Sequence, residues 1–533
     1  MFNKSKLILS GALSLGISVI VTTSVVADTP VLNDKNVAIL QQMLNDSLSA
    51  NPAMCSDDFN RLNGLDMDEM LLEVFNDSSK LSEMKSKITE SRAKKVGNKR
   101  IYSDTQVVYL DFETGAPTFP ANGLAFLLPP GVGPELPDYV YSQAEKDEIQ
   151  RRLEADYDGF NVSFTQTLPE SGDFLFLQFN SNDNPGQTAG IFNSGGILFG
   201  RAGEIEFGNE NKNIGAIVDA NLWQLLYFAD PSGNFLAAVA GLDINDYANP
   251  LELLSAAMVN QSANTGAHEV GHTLGLRHYD AFGAPGDGLP GTGRPARNSF
   301  FPAYTGNQSG FETLDHTMAS GASSGIGLAD SGGKDRFFSE RSLTKLRIND
   351  LNGSDKTVIY NESDIKKRKT LPFSNALQVP NNIQSGVNAF TNLKIRNIAL
   401  RGSIDELNEV DTYRFNAKAG SVISIEAISD VDFLNEDIMF TRVRLFREEE
   451  DGSLTFIDQN ISEFESRDSF LLDVAIPEDA TYVVAVDGQP IVELERGTPD
   501  AFVLPFSFFT EATQLFFRLG NYALNIYAVE KQF

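Results

Sequence analysis

The sequence predicts an α+β domain followed by an all-β sandwich, with a short helical segment in front. The chain has 533 residues, more than the roughly 250–300 that one hydrophobic core usually holds. Helical and strand-like apolar spacings alternate over residues 101–350, whereas only short strand-like runs remain beyond residue 350. The composition, 42% hydrophobic and 21% charged, is that of a globular protein.

Residues 1–27 are typical of a signal peptide. Lys4 and Lys6 precede the apolar run LILSGALSLGISVIVTTSVVA, which ends in the small-residue site Val25-Val26-Ala27. We expect cleavage after Ala27 and a secreted protein, extracellular or at the cell surface. An uncleaved anchor is the alternative, because about 20 apolar residues can span a bilayer. Later segments are too short or too polar to span, so we expect no stable membrane insertion after signal removal.

Residues 28–100 are predicted to form a short helical propeptide. The runs NVAILQQMLNDSL and DMDEMLLEVF have the spacing of amphipathic helices. The segment ends in SRAKKVGNKR, a basic cluster that is either a solvated surface segment or a processing site near Arg100. The single cysteine, Cys55, excludes an internal disulfide framework.

Residues 101–350 combine strand-like runs with helices. TQVVYLDFE, NVSFTQTL, FLFLQFNS and NIGAIVDANLW are predicted strands. The first helix, in SQAEKDEIQRRLEADYDGF, begins after Ser142, and Glu145 completes a capping box. A second helix begins at Pro250 and ends at Gly275, which can adopt a left-handed C-cap conformation. The run SERSLTKLRI predicts one more helix, capped by Ser339.

The remainder of the chain is predicted to be a linker, residues 351–390, and a β-sandwich, residues 391–533. The runs DTYRFNAKAG, SVISIEAIS, TRVRLFREE, SFLLDVAI, ATYVVAVDG and NYALNIYAV alternate in the way short strands of a sandwich do.

Three of the four histidines lie in AHEVGHTLGLRHYD, residues 267–280. His268 and His272 are four apart, so on a helix both rings project from one face and can reach one zinc ion at about 2.0–2.1 Å. Gly275 ends the helix, and His278 can return as a third ligand. Three neutral ligands leave the fourth position open to water, whose pKa zinc lowers to about 7. Glu269, beside the first ligand, can take a proton from that water.

This pattern, His-Glu-x-x-His-x-x-Gly-x-x-His followed by Met318 in HTMASG, resembles that of the metzincin zinc metalloproteases. The resemblance implies a domain with a twisted mixed sheet and two long helices, and a substrate cleft above a smaller subdomain. It also implies one catalytic zinc held by His268, His272 and His278, with Glu269 as general base and Met318 as an apolar floor. The implied activity is hydrolysis of peptide bonds in protein or peptide substrates.

Several residues depart from this pattern or remain open. Tyr279 follows the third histidine, and Ser320 stands where astacins and serralysins have a tyrosine ligand, so three protein ligands are expected. His316 could be a fourth ligand, a transition-state donor or a structural residue that orients the turn. Asp280 could accept a hydrogen bond from a ligand histidine, or have a simple surface or turn role.

The C-terminal region resembles the bacterial pre-peptidase C-terminal domain. The similarity rests on IALRGSIDELNEVDTYRFNAKAGSVISIEA and AIPEDATYVVAVDG, with Asp411, Tyr413, Phe415 and Gly420 at the pattern positions. It implies a role in export, surface attachment or substrate targeting, and removal during maturation in some cases. An ordinary sandwich with no separable role is the alternative.

The remaining observations limit partners and cofactors. A formal net charge of −30 and a pI near 4.5 exclude nucleic acid as a partner, because an acidic surface repels phosphates. The loops 182–190, 283–290 and 330–335 could bind structural calcium, although none has EF-hand spacing. Cys55 could cap the zinc of a zymogen, as in some metzincins, although PAMCSDD lacks their basic, glycine-rich context.

Three functions are left open by the sequence. The weakest is a metal-dependent hydrolase that acts on non-peptide bonds, because the combination of Gly275, His278 and Met318 resembles that of peptidases. A secreted zinc endopeptidase, expected to be a monomer, explains the open fourth ligand position and the carboxylate beside it. The alternative is a catalytically inactive, zinc-containing protein that binds a surface or a substrate. An intact Glu269 argues against that alternative, because a binding module does not need a general base.

Overall fold

The computed structural model describes residues 8–10, 18–20, 105–113, 118–120, 128, 135–180, 190–193, 196–203, 209, 212–281, 315–319, 329, 332–348, 359–361, 370–379, 394–406, 409–429, 439–461, 468–488 and 519–530. The predicted propeptide lies outside these residues, as do Cys55, Ser320, the loop 283–290 and most of the loop 182–190. Within them, no helix is both long and apolar enough to cross a membrane.

A mixed five-stranded sheet organises the N-terminal part of the chain, residues 105–348, here called the α/β part. Its strand order is β10-β11-β7-β3-β6, parallel throughout except for the antiparallel edge strand β10. Two-stranded pairs β1-β2, β4-β5 and β8-β9 lie outside this sheet. The strands are β1 (Ile8–Ser10), β2 (Ser18–Ile20), β3 (Gln106–Asp111), β4 (Thr118–Pro120), β5 (Glu135–Pro137), β6 (Val162–Thr165), β7 (Leu175–Phe179), β8 (Gly190–Asn193), β9 (Gly196–Leu198), β10 (Gly200–Ala202) and β11 (Gly215–Val218).

The described helices of the α/β part are α1 (Gln143–Asp156), α2 (Asn221–Ala229), α3 (Asn234–Ala240), α4 (Pro250–Thr273) and α5 (Glu340–Ile348), with 3-10 helices at Ile244–Asp246 and His278–Ala281. Helices α1, α4 and α5 lie where the sequence predicts. Helices α2 and α3 were not predicted, and α2 begins within the run NIGAIVDANLW, of which only Gly215–Val218 is a strand. The predicted capping box of Ser142 and Glu145 is present at α1. Pro250 is the first residue of α4, whose N-cap is Asn249, and Gly275 just beyond its end has φ 88°.

Two β-sheets that share one apolar core form the C-terminal part, residues 359–530, here called the β part. One sheet has the order β12-β14-β21-β16-β19, with β13 paired to β14, and the other has the order β15-β20-β17-β18. The strands are β12 (Ile359–Asn361), β13 (Leu377–Gln378), β14 (Lys394–Ile404), β15 (Asp411–Ala417), β16 (Val422–Ser429), β17 (Thr441–Glu448), β18 (Leu454–Ile461), β19 (Ser469–Ala475), β20 (Ala480–Gly488) and β21 (Gly520–Glu530). Strands β12 and β13 come from the segment predicted as a linker.

The six-stranded sheet of the β part is buried on both faces. Leu400, Ile425 and Leu524 point into the core shared with the four-stranded sheet. Ile428 and Tyr527, on the same strands β16 and β21, belong instead to the core of the α/β part. Because side chains alternate between the two faces of a strand, the sheet contacts the α/β part along its second face. The chain therefore combines mixed helix and sheet with an antiparallel β region, as predicted, and the two parts share apolar contacts.

Candidate metal centre

Helix α4 and the 3-10 helix after it bring three imidazoles together. The Nε2 atom of His268 lies 3.0 Å from Nε2 of His272 and 3.2 Å from Nε2 of His278. One ring nitrogen from each residue lies within 4.8 Å of the other two, and all three side chains are buried. The spacing of four residues on α4 accounts for the first pair, because it places both rings on one helical face.

Backbone carbonyls orient two of the rings. Nδ1 of His268 lies 2.8 Å from the carbonyl oxygen of Thr317, and Nδ1 of His272 lies 2.8 Å from that of Leu276. A carbonyl only accepts, so Nδ1 carries the proton and the Nε2 lone pair faces the other rings. Burial lowers the pKa of both histidines well below the usual value, so both are neutral and able to bind a metal near neutral pH.

The turn after α4 returns His278 to the first two histidines. Gly275 adopts a left-handed conformation that side chains other than glycine rarely accept, and its N–H donates to His272. The N–H of Leu276 donates to the carbonyl of Gly271, which closes the helix end. His278 then begins a single 3-10 turn, so the predicted role of Gly275 as helix terminator is confirmed.

Glu269 directly follows His268 on α4, and its side chain lies against the edge strand β10. It is only 4% exposed. The contact with β10 is made at Gly200, where an added Cβ would lie 2.8 Å from Cγ of Glu269 and closer still to its Oε1. A glycine at this position therefore makes the space that the carboxylate occupies. No local sequence signal marks Gly200 as a residue of the site.

Met318 is fully buried against the same helix. A Cβ at Gly271, the residue before His272, would lie 2.8 Å from the Met318 sulfur. The turn that carries Met318 also supplies the Thr317 carbonyl to His268. Arg336 holds this turn by donating to the carbonyls of His316 and Ala319. The turn therefore both packs beneath α4 and orients one of its histidines.

His316 and Asp280 have other partners. Nδ1 of His316 bonds to the carbonyl of Ala281, and its ring packs edge-on against Phe337, so it contacts the end of the His278 turn. Burial lowers the pKa of His316 to about 4, which keeps the ring neutral. Asp280 accepts from the backbone N–H of Arg277 at 2.7 Å and from Nζ of Lys345 at 2.8 Å. It is buried, so a surface role is excluded, and its hydrogen bonds stabilise the turn.

The donor set fits a divalent metal ion. Neutral imidazole nitrogens are ligands that zinc and several other transition metals bind well. The orientation by backbone carbonyls is typical of metal-binding histidines, because it fixes the tautomer and the direction of the lone pair. The three histidines can therefore bind one metal ion, and the donor set alone does not decide which.

Comparisons with known proteins assign no family. No protein-family model and no curated protein matches the chain. Among solved structures, the pre-peptidase C-terminal domain of a collagenase from Bacillus anthracis is similar at 13% identity and a TM-score of 0.15, covering 24% of this chain and 88% of that one. The g-type lysozyme inhibitor PliG from Aeromonas hydrophila, which is periplasmic, is similar at 12% identity and a TM-score of 0.15, covering 25% and 86%. A protein from Sulfurospirillum deleyianum is similar at 6% identity and a TM-score of 0.14, covering 25% and 98%.

Proposed function

We propose that the chain is a secreted zinc-dependent endopeptidase. The observation that carries the proposal is the convergence of three histidine ring nitrogens at the end of α4, the helix on which the buried Glu269 directly follows His268. Three neutral ligands leave a fourth position for water or substrate, which distinguishes catalytic from closed structural zinc sites. When bound, zinc supplies Lewis acidity: it lowers the pKa of water to about 7 and polarises a carbonyl oxygen.

The protein residues would bind the ion and transfer the proton. His268, His272 and His278 would hold the ion, and the carbonyls of Thr317 and Leu276 keep two of these rings in the required tautomer. Glu269 would accept a proton from the attacking water and donate it to the departing amine. Its burial against Gly200 restricts where the carboxylate can point, which favours transfer at a fixed position.

The other proposed features come from the sequence. The basic residues, apolar run and small-residue site of residues 1–27 support export, and the basic cluster near Arg100 supports a processed propeptide. The motifs around Asp411 and Tyr413 support a pre-peptidase C-terminal type of sandwich. The strong negative charge supports protein or peptide substrates over nucleic acid.

Glu269→Gln is the direct test of the mechanism. The amide is nearly the same size but cannot act as a base, so we expect zinc content to stay at one ion per chain. The kcat on casein should fall by at least about 100-fold, the lower end of what general acid–base catalysis contributes. Zinc is measured by atomic absorption on the full chain after secretion, and activity is measured with and without a chelator.

Glu252→Gln is the matched control, because it makes the same change near the start of α4, on an exposed side chain. We expect wild-type activity from this variant. Full activity of Glu269→Gln would refute the assignment of the base. Wild-type protein that binds zinc but cleaves no protein substrate would favour the inactive binding protein instead.

A further inference from the structure

We infer that the β part positions the third metal ligand, because its buried carboxylates and one aromatic ring fix the turn that carries His278. The inference rests on the proposed metal site. It assigns positioning roles to Asp468, Phe470 and Glu426, which lie about 150–190 residues beyond the histidines in the sequence. The β part would then be a component of the metal centre and could not be a detachable module.

Both sequence neighbours of His278 contact strands of the β part. Nη2 of Arg277 lies 2.5 Å from Oδ2 of Asp468, and both side chains are 3% exposed. The ring of Tyr279 stacks on that of Phe470, with centroids 4.6 Å apart and planes 25° apart. Asp468 also accepts the backbone N–H of Ser429, which fixes the carboxylate itself. His278 is therefore held between two anchored side chains.

A third contact runs through α5. Nζ of Lys345 lies 2.8 Å from Oδ2 of Asp280 and 3.2 Å from Oε2 of Glu426, and none of the three side chains is exposed. Burial alone would lower the pKa of Lys345, but the two carboxylates raise it above the usual value, so the ammonium group stays charged. Glu426 is thereby connected to the His278 turn through Lys345, which pairs with both Glu426 and Asp280.

The charges of the two parts are complementary along this contact. The α/β part contributes Arg277, Arg341 and Lys345, and the β part contributes Asp468, Asp473 and Glu426. Arg341 pairs with Asp473 at 2.7 Å, again with almost no exposure. Loss of one carboxylate would remove a negative charge from beside a buried cation, which raises the free energy of that cation and favours a shift of the backbone around it.

The His278 turn is more sensitive to such movement than α4, because it has fewer helical hydrogen bonds of its own. It is a single 3-10 turn of four residues, whereas His268 and His272 lie in a helix of 24 residues. Displacement of the turn would move one ligand of three and leave the other two in place. The expected consequence is weaker and distorted metal binding by a protein that is still folded.

Asp468→Asn in the full chain tests this inference. The amide keeps the shape of the side chain and its acceptor for Ser429, but removes the charge facing Arg277. Glu426→Gln is a second variant with a smaller expected effect, because Lys345 still pairs with Asp280. It is measured in the same way and decides the question if Asp468→Asn does not fold. Asp487→Asn is the matched control: Asp487 forms a similarly buried pair with Arg442, with 2.9 Å between Arg442 Nε and its Oδ1, in the four-stranded sheet.

Two readouts are measured. Hydrogen–deuterium exchange of residues 275–281 in metal-free protein reports on the turn itself. Co²⁺ affinity and the visible absorption of the Co²⁺ form report on ligand geometry. We expect faster exchange confined to this segment, a Kd for Co²⁺ raised by about 10- to 100-fold, and a changed absorption spectrum in Asp468→Asn. Glu426→Gln should show the same changes to a smaller extent, and Asp487→Asn should show none.

Unchanged exchange and unchanged Co²⁺ affinity in the folded variants would overturn the inference. Equal effects in Asp487→Asn would also overturn it, because they would show a general loss of stability. The outcomes differ from those that refute the proposed function. A wild-type protein without peptidase activity, or without metal, refutes that function, while the exchange measurement still decides whether the β part positions the turn.

Discussion

Single residues in the metal centre are fixed mainly by groups that belong to the backbone. The Thr317 and Leu276 carbonyls orient His268 and His272, and the Ala281 carbonyl holds His316 beside the turn. Backbone acceptors cannot rotate independently, so each ring has one favoured orientation. This explains how three buried imidazoles can stay close together in a fixed arrangement.

Gly200→Ala is a residue-scale prediction that rests on the proposed function. The added methyl group would overlap Glu269 Cγ and Oε1, as well as the Thr265 methyl group, so the carboxylate must move. We expect kcat to fall by at least about tenfold, the scale on which small misplacements of catalytic groups act. Zinc affinity should change much less, because no ligand histidine is touched.

Gly215→Ala provides the control for this prediction. Gly215 lies on the neighbouring strand β11, and an added Cβ there meets nothing within 4 Å. Steady-state kinetics and zinc titration of both variants give the comparison. Wild-type kcat in Gly200→Ala would show that Glu269 is free to re-adjust or is not the base.

Sequence reasoning identified the ligand residues but not the groups that orient them. The histidines belong to a local pattern within one helix and its turn, so their spacing alone predicts that they meet. Thr317 and Gly200 act through contacts between segments distant in sequence, which spacing does not encode. Thr317 directly precedes Met318 in the run HTMASG, and this position next to the methionine was the one sequence signal that it lies near the histidines. Gly200 carried none.

Helix α4 contacts a different partner on each of its faces. One face holds the histidines above Met318, and the other packs on α1, where the Tyr157 hydroxyl donates to the Ala267 carbonyl at 2.8 Å. Gly271 lies on the first face and Gly266 on the second. Both glycines allow another side chain to pack closely against the helix. The buried Met318 sulfur beside Gly271 would have to move further to admit a methyl group than the leucine methyl groups beside Gly266.

Alanine substitutions at these two glycines should therefore differ. Alanine favours a helix by about 1 kcal/mol over glycine. At Gly271 the new Cβ would lie 2.8 Å from the buried Met318 sulfur, and overpacking of this kind costs about 1–3 kcal/mol. We expect Gly271→Ala to lower the free energy of unfolding and Gly266→Ala, whose nearest contact is a leucine methyl at 3.2 Å, to leave it nearly unchanged. Urea denaturation measures both. Equal stability of the two variants would contradict this account of the Met318 contact.

At the scale of elements, the sequence predicted where helices begin and end better than it predicted how deeply they are buried. The capping box at Ser142, Pro250 at the start of α4 and Gly275 after its end are local signals, and all three predictions are confirmed. The run SERSLTKLRI resembles an ordinary surface helix with three basic residues. Its complete burial depends on carboxylates that lie far along the chain. The signal that was overlooked is Glu426 within the otherwise apolar strand SVISIEAIS.

On the scale of the whole molecule, the α/β and β parts depend on each other. Each buried ion pair between them, if broken, costs about 3–5 kcal/mol. Three such pairs connect Arg277, Arg341 and Lys345 to the β part. Whole domains are stable by only about 5–15 kcal/mol, so removing one partner of such a pair costs a large fraction of the total stability.

A chain that ends at residue 350 should not fold into a stable α/β part. It would keep the three cations and Tyr279 but lose every carboxylate and ring of the β part that contacts them. We expect low soluble yield and no cooperative thermal transition by circular dichroism, with the full chain measured in parallel. A truncated chain that melts cooperatively within a few degrees of the full chain would show that the two parts are independent.

The order of residues along the chain gives this contact a consequence for synthesis. A nascent chain that has emerged as far as residue 350 already carries all three imidazoles and Glu269, but not Asp468, Phe470 and Glu426 of the β part, which contact Arg277, Tyr279 and Lys345. Strands β16 and β19, which carry or adjoin these residues, leave the ribosome later. On the inference that the β part positions the His278 turn, the three histidines reach their final arrangement only after Asp468 and Phe470 have been synthesised.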